Sequence, residues 1–228
     1  MNRTVGVVRM QLVNRQTYIW IPLIVLAGAF VLTLLIWSLV PHEAVKYGGG
    51  AQAPLWYFGV VGVQALTLTF PFSQAMSVTR REFFLGTLLT AALTAAILAA
   101  IFVCGGLIEQ LTNGWGMNGY FFYLDWIWQS GPLVAGLFFF VIAMLFFVVG
   151  FWSATVYKRF GGVWLTSILV GIGLVLVGLL WLIGRLQAWP SVIGWIGAQG
   201  ALGLGVWGLA LVAVLAASAF VTLRRAVP

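Results

Sequence analysis

Long uninterrupted apolar runs dominate this sequence, and they determine the solvent in which the chain can fold. Hydrophobic residues make up 63% of the 228 residues and charged residues 7%, whereas soluble domains are about 45–50% apolar and about 25% charged. A soluble fold of this length cannot bury so much apolar surface. In hydrocarbon, backbone polar groups are satisfied only within helices or closed barrels. Because the runs do not alternate between apolar and polar residues, they predict an all-α integral membrane protein.

Six of these runs are long enough for a spanning helix, which needs about 20 mostly apolar residues. The predicted transmembrane (TM) helices are TM1 at 18–40, TM2 at 54–72, TM3 at 83–107, TM4 at 132–157, TM5 at 163–183 and TM6 at 201–223. The other predicted segments are a basic segment at 2–16, a cytoplasmic loop at 73–82, an aromatic outer loop at 108–131 and an outer connector at 184–200. The last has a composition that allows it to dip into the membrane without crossing it. No internal repeat divides residues 1–228, which we interpret as a single transmembrane domain.

The basic residues predict the orientation of the helices. If the N-terminus is cytoplasmic, nine of the eleven Lys and Arg residues fall in cytoplasmic segments, and only Lys46 and Arg185 fall outside. This asymmetry follows the positive-inside rule and predicts that both chain ends are cytoplasmic. The same residues occur singly or in pairs, so the net charge of +7 does not indicate a nucleic-acid surface. The nine cytoplasmic residues are Arg3, Arg9, Arg15, Arg80, Arg81, Lys158, Arg159, Arg224 and Arg225.

The sequence offers little of the chemistry that enzymes and ion-coupled carriers need. None of the charged residues is predicted near the middle of a span, where proton relays and ion-driven carriers keep them. His42 is the only histidine and lies in an outer loop beside Glu43, whereas a metal site needs three or four protein ligands. No G-x-x-x-x-G-K-[ST] phosphate loop is present. We therefore expect a chain that is not an enzyme and holds no cofactor, and an intramembrane enzyme is the least favoured alternative.

The loop between the second and third helices is the most informative segment for function. The loop at 73–82 is longer than a tight turn requires, and its sequence predicts a short amphipathic helix lying along the membrane. In such a helix Arg80 and Arg81 project to the cytosol, Phe83 and Phe84 re-enter the lipid, and a soluble partner finds a surface to push on. The alternative is that the arginine pair serves only as a topology anchor.

The string SVTRREFFLGTLL in this loop follows a second helix that ends in FPF. It resembles the intracellular loop between the second and third helices of ABC-2 type permeases. In that family the loop holds a coupling helix that docks in a groove of the ATP-binding subunit. The segment at 2–16 resembles the family's interfacial elbow helix, and six crossings with both ends inside match its architecture. The connector at 184–200 is short for the family's re-entrant pair of helices, and the loop at 108–131 is unusually aromatic.

The resemblance implies the permease subunit of an ATP-driven exporter. Such a subunit spans the plasma membrane of a bacterial cell, where lipids surround it. Two permease chains, identical or homologous, pair, and two separate cytosolic ATPase subunits bind ATP and Mg²⁺. The expected ATPase-coupling residues are Ser77, Val78, Thr79, Arg80, Arg81, Glu82 and Phe83. Glu82 has the alternative of pairing with a basic neighbour inside the bundle.

In the family the translocation path lies between the second and fifth helices at the dimer axis. The residues that the resemblance assigns to this path are Gln64, Thr67, Leu68, Thr166 and Ser167. Apolar and hydroxyl side chains suit a hydrophobic or amphipathic cargo such as a lipid, a peptide or a drug-like molecule, since no fixed charge is available to pair with an ion. A different class of function stays open, namely a structural or assembly subunit that binds another protein through its aromatic outer loop.

Overall fold

A computed structural model describes residues 3–41 and 44–224 of the chain. Within these residues, six helices are long and apolar enough to cross a membrane. The prediction of an all-α, multi-pass membrane protein with six apolar helices is therefore confirmed. The spans are Gln16–Ser38, Gly49–Ala75, Arg80–Leu111, Pro132–Phe160, Gly162–Arg185 and Trp189–Leu223. The predictions for Asn2, His42, Glu43 and Arg225 fall outside the described residues.

The first helix, α1 (Arg3–Val13), is short and precedes the first span. Two of its residues attach it to the third span: Val7 is buried, and the Nε2 of the buried Gln11 donates a hydrogen bond to the Oγ1 of Thr87 at 2.8 Å. Gly86 allows this contact, because a Cβ there would lie 2.6 Å from the Cβ of Val7. The basic N-terminal segment is thus packed onto the bundle.

The first and second spans both contain a wide helical turn. A π-turn at Gln16–Trp20 leads into α2 (Ile21–Ser38). The second span consists of α3 (Ala53–Gln64), a π-turn at Ala65–Thr69 and α4 (Phe70–Ala75), which has Pro71 in its first turn. A proline cannot donate to the carbonyl four residues earlier, and its ring crowds that carbonyl. The wide turn before α4 accommodates this defect within a continuous span.

Two long helices form the centre of the bundle. They are α5 (Arg80–Leu111) and α7 (Pro132–Phe160), and α3, α5 and the last helix all pack against α7. At the crossing of α3 with α7 the backbones touch, because a Cβ on Gly150 would lie 2.0 Å from the carbonyl oxygen of Gly59. Small residues at such crossings allow the close van der Waals packing that holds helices together in lipid.

The fifth span is packed differently from the others. Helix α8 (Gly162–Arg185) follows α7 after a turn at Gly161, and none of its 24 residues is buried. Within the described part of the chain, α7 is the one element against which α8 packs appreciably. The fifth helix therefore has no buried face within the single chain.

The predicted outer connector is mostly helical in the structure. Helix α9 (Trp189–Leu223) begins within the predicted connector at 184–200, with Pro190 in its first turn, where proline is well tolerated. Gly200 interrupts it with φ 58° and ψ −172°, a conformation that only glycine adopts readily. The region 189–199 is thus a helical arm, and the sixth span proper begins at Ala201.

The expectation of a separate helix at 73–82 is corrected by the structure. Residues 73–75 end α4, residues 76–79 form a turn, and residues 80–82 begin α5. Ser77 adopts a left-handed conformation with φ 56°, and the N–H of Val78 donates to the carbonyl of Ser73 at 3.1 Å. The segment is polar because it forms a turn and a helix cap. It does not form the predicted helix lying along the membrane.

Candidate functional site

The α4–α5 corner, defined as residues 76–83, contains all seven residues that the sequence assigns to ATPase coupling. Its centre is a reciprocal cap at the start of α5. The backbone N–H of Glu82 donates to Thr79 Oγ1 at 3.2 Å, and the N–H of Thr79 donates to Glu82 Oε2 at 3.0 Å. The Thr79 hydroxyl also donates to that carboxylate, at 2.8 Å. This capping box satisfies backbone donors that a helix start otherwise leaves open, and it engages Glu82 within its own helix.

Arg80 connects the corner to the far end of the chain. Its Nη1 donates to the carbonyl oxygens of Leu223 and Arg224, at 3.0 and 2.6 Å. These are carbonyls at the C-terminal end of α9, where a helix lacks internal donors and carries partial negative charge. Arg80 therefore fastens the sixth span to the start of the third, and its guanidinium, which was predicted to project into the cytosol, binds these two carbonyls.

The remaining corner residues divide into an exposed and a buried group. Ser77 and Arg81 are exposed, and Val78 is half-buried. Phe83 is fully buried, and its ring lies 5.1 Å from that of Phe70. The predicted entry of Phe83 and Phe84 into lipid is therefore corrected, because both rings pack inside the bundle. The surface of the corner that a partner can reach comprises mainly Met76, Ser77, Thr79 and Arg81.

An open groove of about 320 Å³ lies beside the corner. One wall belongs to α1 and the other to the turn before α5. Its lining residues are Arg3, Gly6, Val7, Met10, Met76, Ser77 and Val78. The first helix and the corner thus form one continuous surface.

The predicted path residues lie on two separate helical regions. Gln64 and Thr67 are half-buried where α3 meets the π-turn, and the side chain of Leu68 is 66% exposed. Thr166 and Ser167 are exposed on α8, where the hydroxyl of Ser167 donates to its own helix at Val163. Within the described residues of one chain, α8 does not pack appreciably against α3 or α4. A single chain therefore does not assemble these five residues into a common lining.

Glu109 organises the opposite end of α5, a role that the sequence analysis missed. It lies inside the helix, two residues past the predicted end of the third span, and is fully buried. Its Oε1 accepts from the indole N–H of Trp115 at 2.8 Å and from the N–H of Phe121 at 2.9 Å. Its Oε2 accepts from the N–H groups of Phe122 and Tyr123, both at 2.8 Å. Four donors thus converge on one carboxylate.

We call residues 112–131 the aromatic cap, and its rings pack mostly on one another and on the helix ends. The Phe30 ring of α2 lies 5.0 Å from Trp115 and 5.3 Å from Phe121. Gly105 and Gly106 of α5 leave room for the rings of Phe122 and Trp128, which a Cβ would approach to 2.5 and 2.2 Å. Aromatic pairs of this kind add stability beyond their area burial.

The loop after the first span joins the cap through a short parallel strand pair. Strand β1 (Lys46–Tyr47) pairs with β2 (Gly119–Tyr120), and the buried Lys46 ammonium donates to the carbonyl of Met117 at 2.8 Å. The Tyr47 hydroxyl donates to Asp125 Oδ2 at 3.0 Å, next to the short helix α6 (Asp125–Trp128). This bond to a carboxylate stabilises the protonated phenol and raises the pKa of Tyr47.

A sequence signal for Glu109 exists, although it was interpreted only as part of an outer loop. A lone acid at the end of a long apolar run, followed by glycines and aromatics with no nearby cation, indicates a carboxylate that accepts from backbone donors. Which donors it accepts from depends on the path of the loop. That path is decided by tertiary packing.

Comparison of this chain with protein-family models, with curated proteins and with solved structures finds no match.

Proposed function

We propose that this chain is the permease subunit of an ATP-driven, ABC-2 type transporter that exports a hydrophobic or amphipathic compound. In the proposed arrangement both chain ends lie on the cytoplasmic side, and a separate cytosolic ATPase binds ATP and Mg²⁺. One observation supports it above all: α5, which begins in the corner whose sequence resembles a permease coupling loop, is bonded to helices at both ends of the chain. A partner that displaces this corner acts on most of the bundle.

The connections around the corner suggest how force is transmitted. The capping box makes the turn continuous with α5, a helix of 32 residues. Arg80 joins this helix to the end of α9, and the bond from Gln11 to Thr87 joins it to α1. A push on Ser77 and Arg81 is expected to move these three helices as one unit. Rigid elements with specific contacts are what coupling between distant sites needs.

The exposure of α8 supports pairing with a second permease chain. A helix with no buried residue in the single chain leaves Thr166 and Ser167 available to a neighbour. In the proposed dimer, identical or homologous, α8 faces the second chain, and its hydroxyls come close to Gln64 and Thr67 across the axis. A path lined in this way requires both chains.

The test is binding of a candidate ATPase, one encoded beside this chain and carrying a phosphate-binding loop, to the purified permease. Arg81→Glu is the sharpest variant, because Arg81 is exposed, whereas Arg80 and Glu82 hold the fold together. Arg15→Glu is the matched control, since it makes the same charge change at another exposed position. We expect Arg81→Glu to weaken ATPase binding and stimulation at least about tenfold, and Arg15→Glu to leave both unchanged.

Two results would overturn the proposal. One is equal binding by the two charge-reversal variants, and the other is labelling of a cysteine at Ser77 from the outer face. The rival function, a structural or assembly subunit, acts through the aromatic cap, whose Trp126 is 45% exposed. Loss of a membrane partner in Trp126→Ala, together with an unaffected Arg81→Glu variant, would favour the rival.

A further inference from the structure

Three tyrosines form a row of rings where the loop after the first span meets the aromatic cap. Tyr47 and Tyr120 are register partners of β1 and β2, and their ring centroids lie 5.9 Å apart. Tyr123 continues the row, with its centroid 5.6 Å from that of Tyr120. The side chain of Tyr47 is 54% exposed, and the other two are half-buried. We call these three residues the tyrosine row.

A carboxylate lies beside the exposed end of the tyrosine row. Asp125 is exposed, and its Oδ2 accepts the hydrogen bond from the Tyr47 hydroxyl at 3.0 Å. This donor is neutral and does not offset the charge of the carboxylate. Lys46 is the one basic residue in the segments 44–52 and 112–131, and it is buried with its ammonium bound to a backbone carbonyl. The surface at the row therefore combines aromatic rings with a negative charge that no exposed Lys or Arg of these segments balances.

We propose that the tyrosine row and Asp125 bind a small organic cation of the quaternary ammonium class. The quadrupole of an aromatic ring attracts a cation to the ring face, and aromatic side chains recognise quaternary ammonium ligands in this way. The Asp125 carboxylate supplies the opposite charge next to the ring of Tyr47. The methyl groups of such a ligand pack on the phenol rings, which are already close neighbours.

The surroundings favour this class over a metal ion and over a lipid head group. A divalent metal ion takes several oxygen ligands, whereas within residues 3–41 and 44–224 no group of three or more His, Cys, Asp or Glu side chains could hold one. A zwitterionic phospholipid brings a phosphate next to Asp125, and the one cation of these segments, Lys46, is buried and bound elsewhere. An organic cation without a phosphate meets neither difficulty.

The test is equilibrium dialysis of labelled choline against the purified full chain in maltoside micelles, which carry no charge and no choline group. We expect saturable binding to the wild-type chain. The uncharged carbon isostere of choline, in which a tert-butyl group replaces the trimethylammonium group, should compete at least about tenfold more weakly than unlabelled choline. Asp125→Asn keeps an acceptor for the Tyr47 hydroxyl and should raise the Kd for choline about fivefold.

A pair of variants at Tyr47 tests the aromatic ring itself. Tyr47→Phe keeps the ring face and should leave the Kd for choline within about twofold of the wild-type value. Tyr47→Leu keeps an apolar side chain without a ring and should raise the Kd about fivefold. Tyr157→Leu is the matched control, because Tyr157 is 53% exposed and lies in the last turn of α7, away from the cap.

The inference is overturned if the isostere competes as well as choline does, a comparison that uses only the wild-type chain. It also fails if Tyr157→Leu weakens binding as much as Tyr47→Leu, or if Asp125→Asn leaves the Kd unchanged. Displacement of choline by phosphatidylcholine added to the micelles would assign the site to a lipid head group instead. None of these variants changes an expected ATPase-coupling or path residue, so the result is independent of the proposed transport function.

Discussion

The two ends of α5 are each organised by a glutamate, in opposite surroundings. At one end Glu109 is fully buried and accepts four hydrogen bonds, three of them from consecutive backbone N–H groups of the aromatic cap. At the other end Glu82 accepts from the N–H and the hydroxyl of Thr79, at a solvent-accessible turn. The same residue type therefore orders a whole loop in one place and a single helix start in the other.

This difference separates a rigid end of the molecule from an accessible one. A buried carboxylate with several donors is costly to disrupt, because each orphaned N–H loses its partner away from water. A capped, exposed turn has fewer buried donors to lose and presents its side chains to a partner. The bundle thus has an internally satisfied cap at one end of α5 and a contact surface at the other.

The largest effect is expected from Glu109→Ala, which removes the common acceptor of the cap. We expect a loss of about 4 kcal/mol in the free energy of unfolding, because several buried donors lose their partner at once. In thermal denaturation of the detergent-solubilised chain this corresponds to a decrease of roughly 10 °C in Tm. Glu82→Ala is the matched control and should cost about 1 kcal/mol. Equal losses would contradict the contrast between the two ends.

The next largest effect is expected at Arg80, which ties the accessible end of α5 to the end of α9. Arg80→Gln removes charge-assisted hydrogen bonds to the end of α9, and we expect it to cost about 1.5 kcal/mol. Hydrogen exchange of the last turn of α9 should accelerate in this variant. Arg81→Gln, the adjacent control, should change stability by no more than about 0.5 kcal/mol. If both variants exchange alike, Arg80 does not hold α9.

A smaller effect tests the capping box itself. Thr79→Ala removes the side-chain oxygen that accepts from the N–H of Glu82, and it should cost about 1 kcal/mol. Thr79→Ser keeps that oxygen and should restore most of the loss, as measured by Tm. An equal decrease of Tm in both variants would show that the effect comes from packing of the threonine methyl group and not from the hydrogen bond.

The smallest effect is expected from Tyr47→Phe at the edge of the cap. Because the bond to Asp125 raises the pKa of Tyr47, the phenol contributes stability below its ordinary pKa of about 10 and loses that contribution as the pH rises through the shifted pKa. At pH 8 the variant should melt slightly below the wild type, because an exposed bond of this kind contributes little. The difference should vanish in strongly alkaline buffer. A difference that is unchanged by pH would show that the hydroxyl bond contributes nothing.

Several features of the fold were predictable because they follow from local patterns. The six spans are visible as apolar runs, and the cap at Thr79 and Glu82 follows the S/T-x-x-E spacing of a capping box. The bend at Gly200 was not predicted, because residues 189–199 are apolar enough for either a connector or a helix. The candidate path residues were named from the second and fifth helices by resemblance, and nothing in their spacing indicates whether one chain brings them together.

The sequence by itself determined that this chain is a multi-pass helical membrane protein, since no other solvent suits such continuous apolar runs. Only the tertiary structure decided what its few polar groups do. Glu109 meets donors more than ten residues away, and Arg80 meets carbonyls more than 140 residues away. Hydropathy reports the solvent that each residue prefers and carries no information about such distant partners. Their choice depends on how the helices cross.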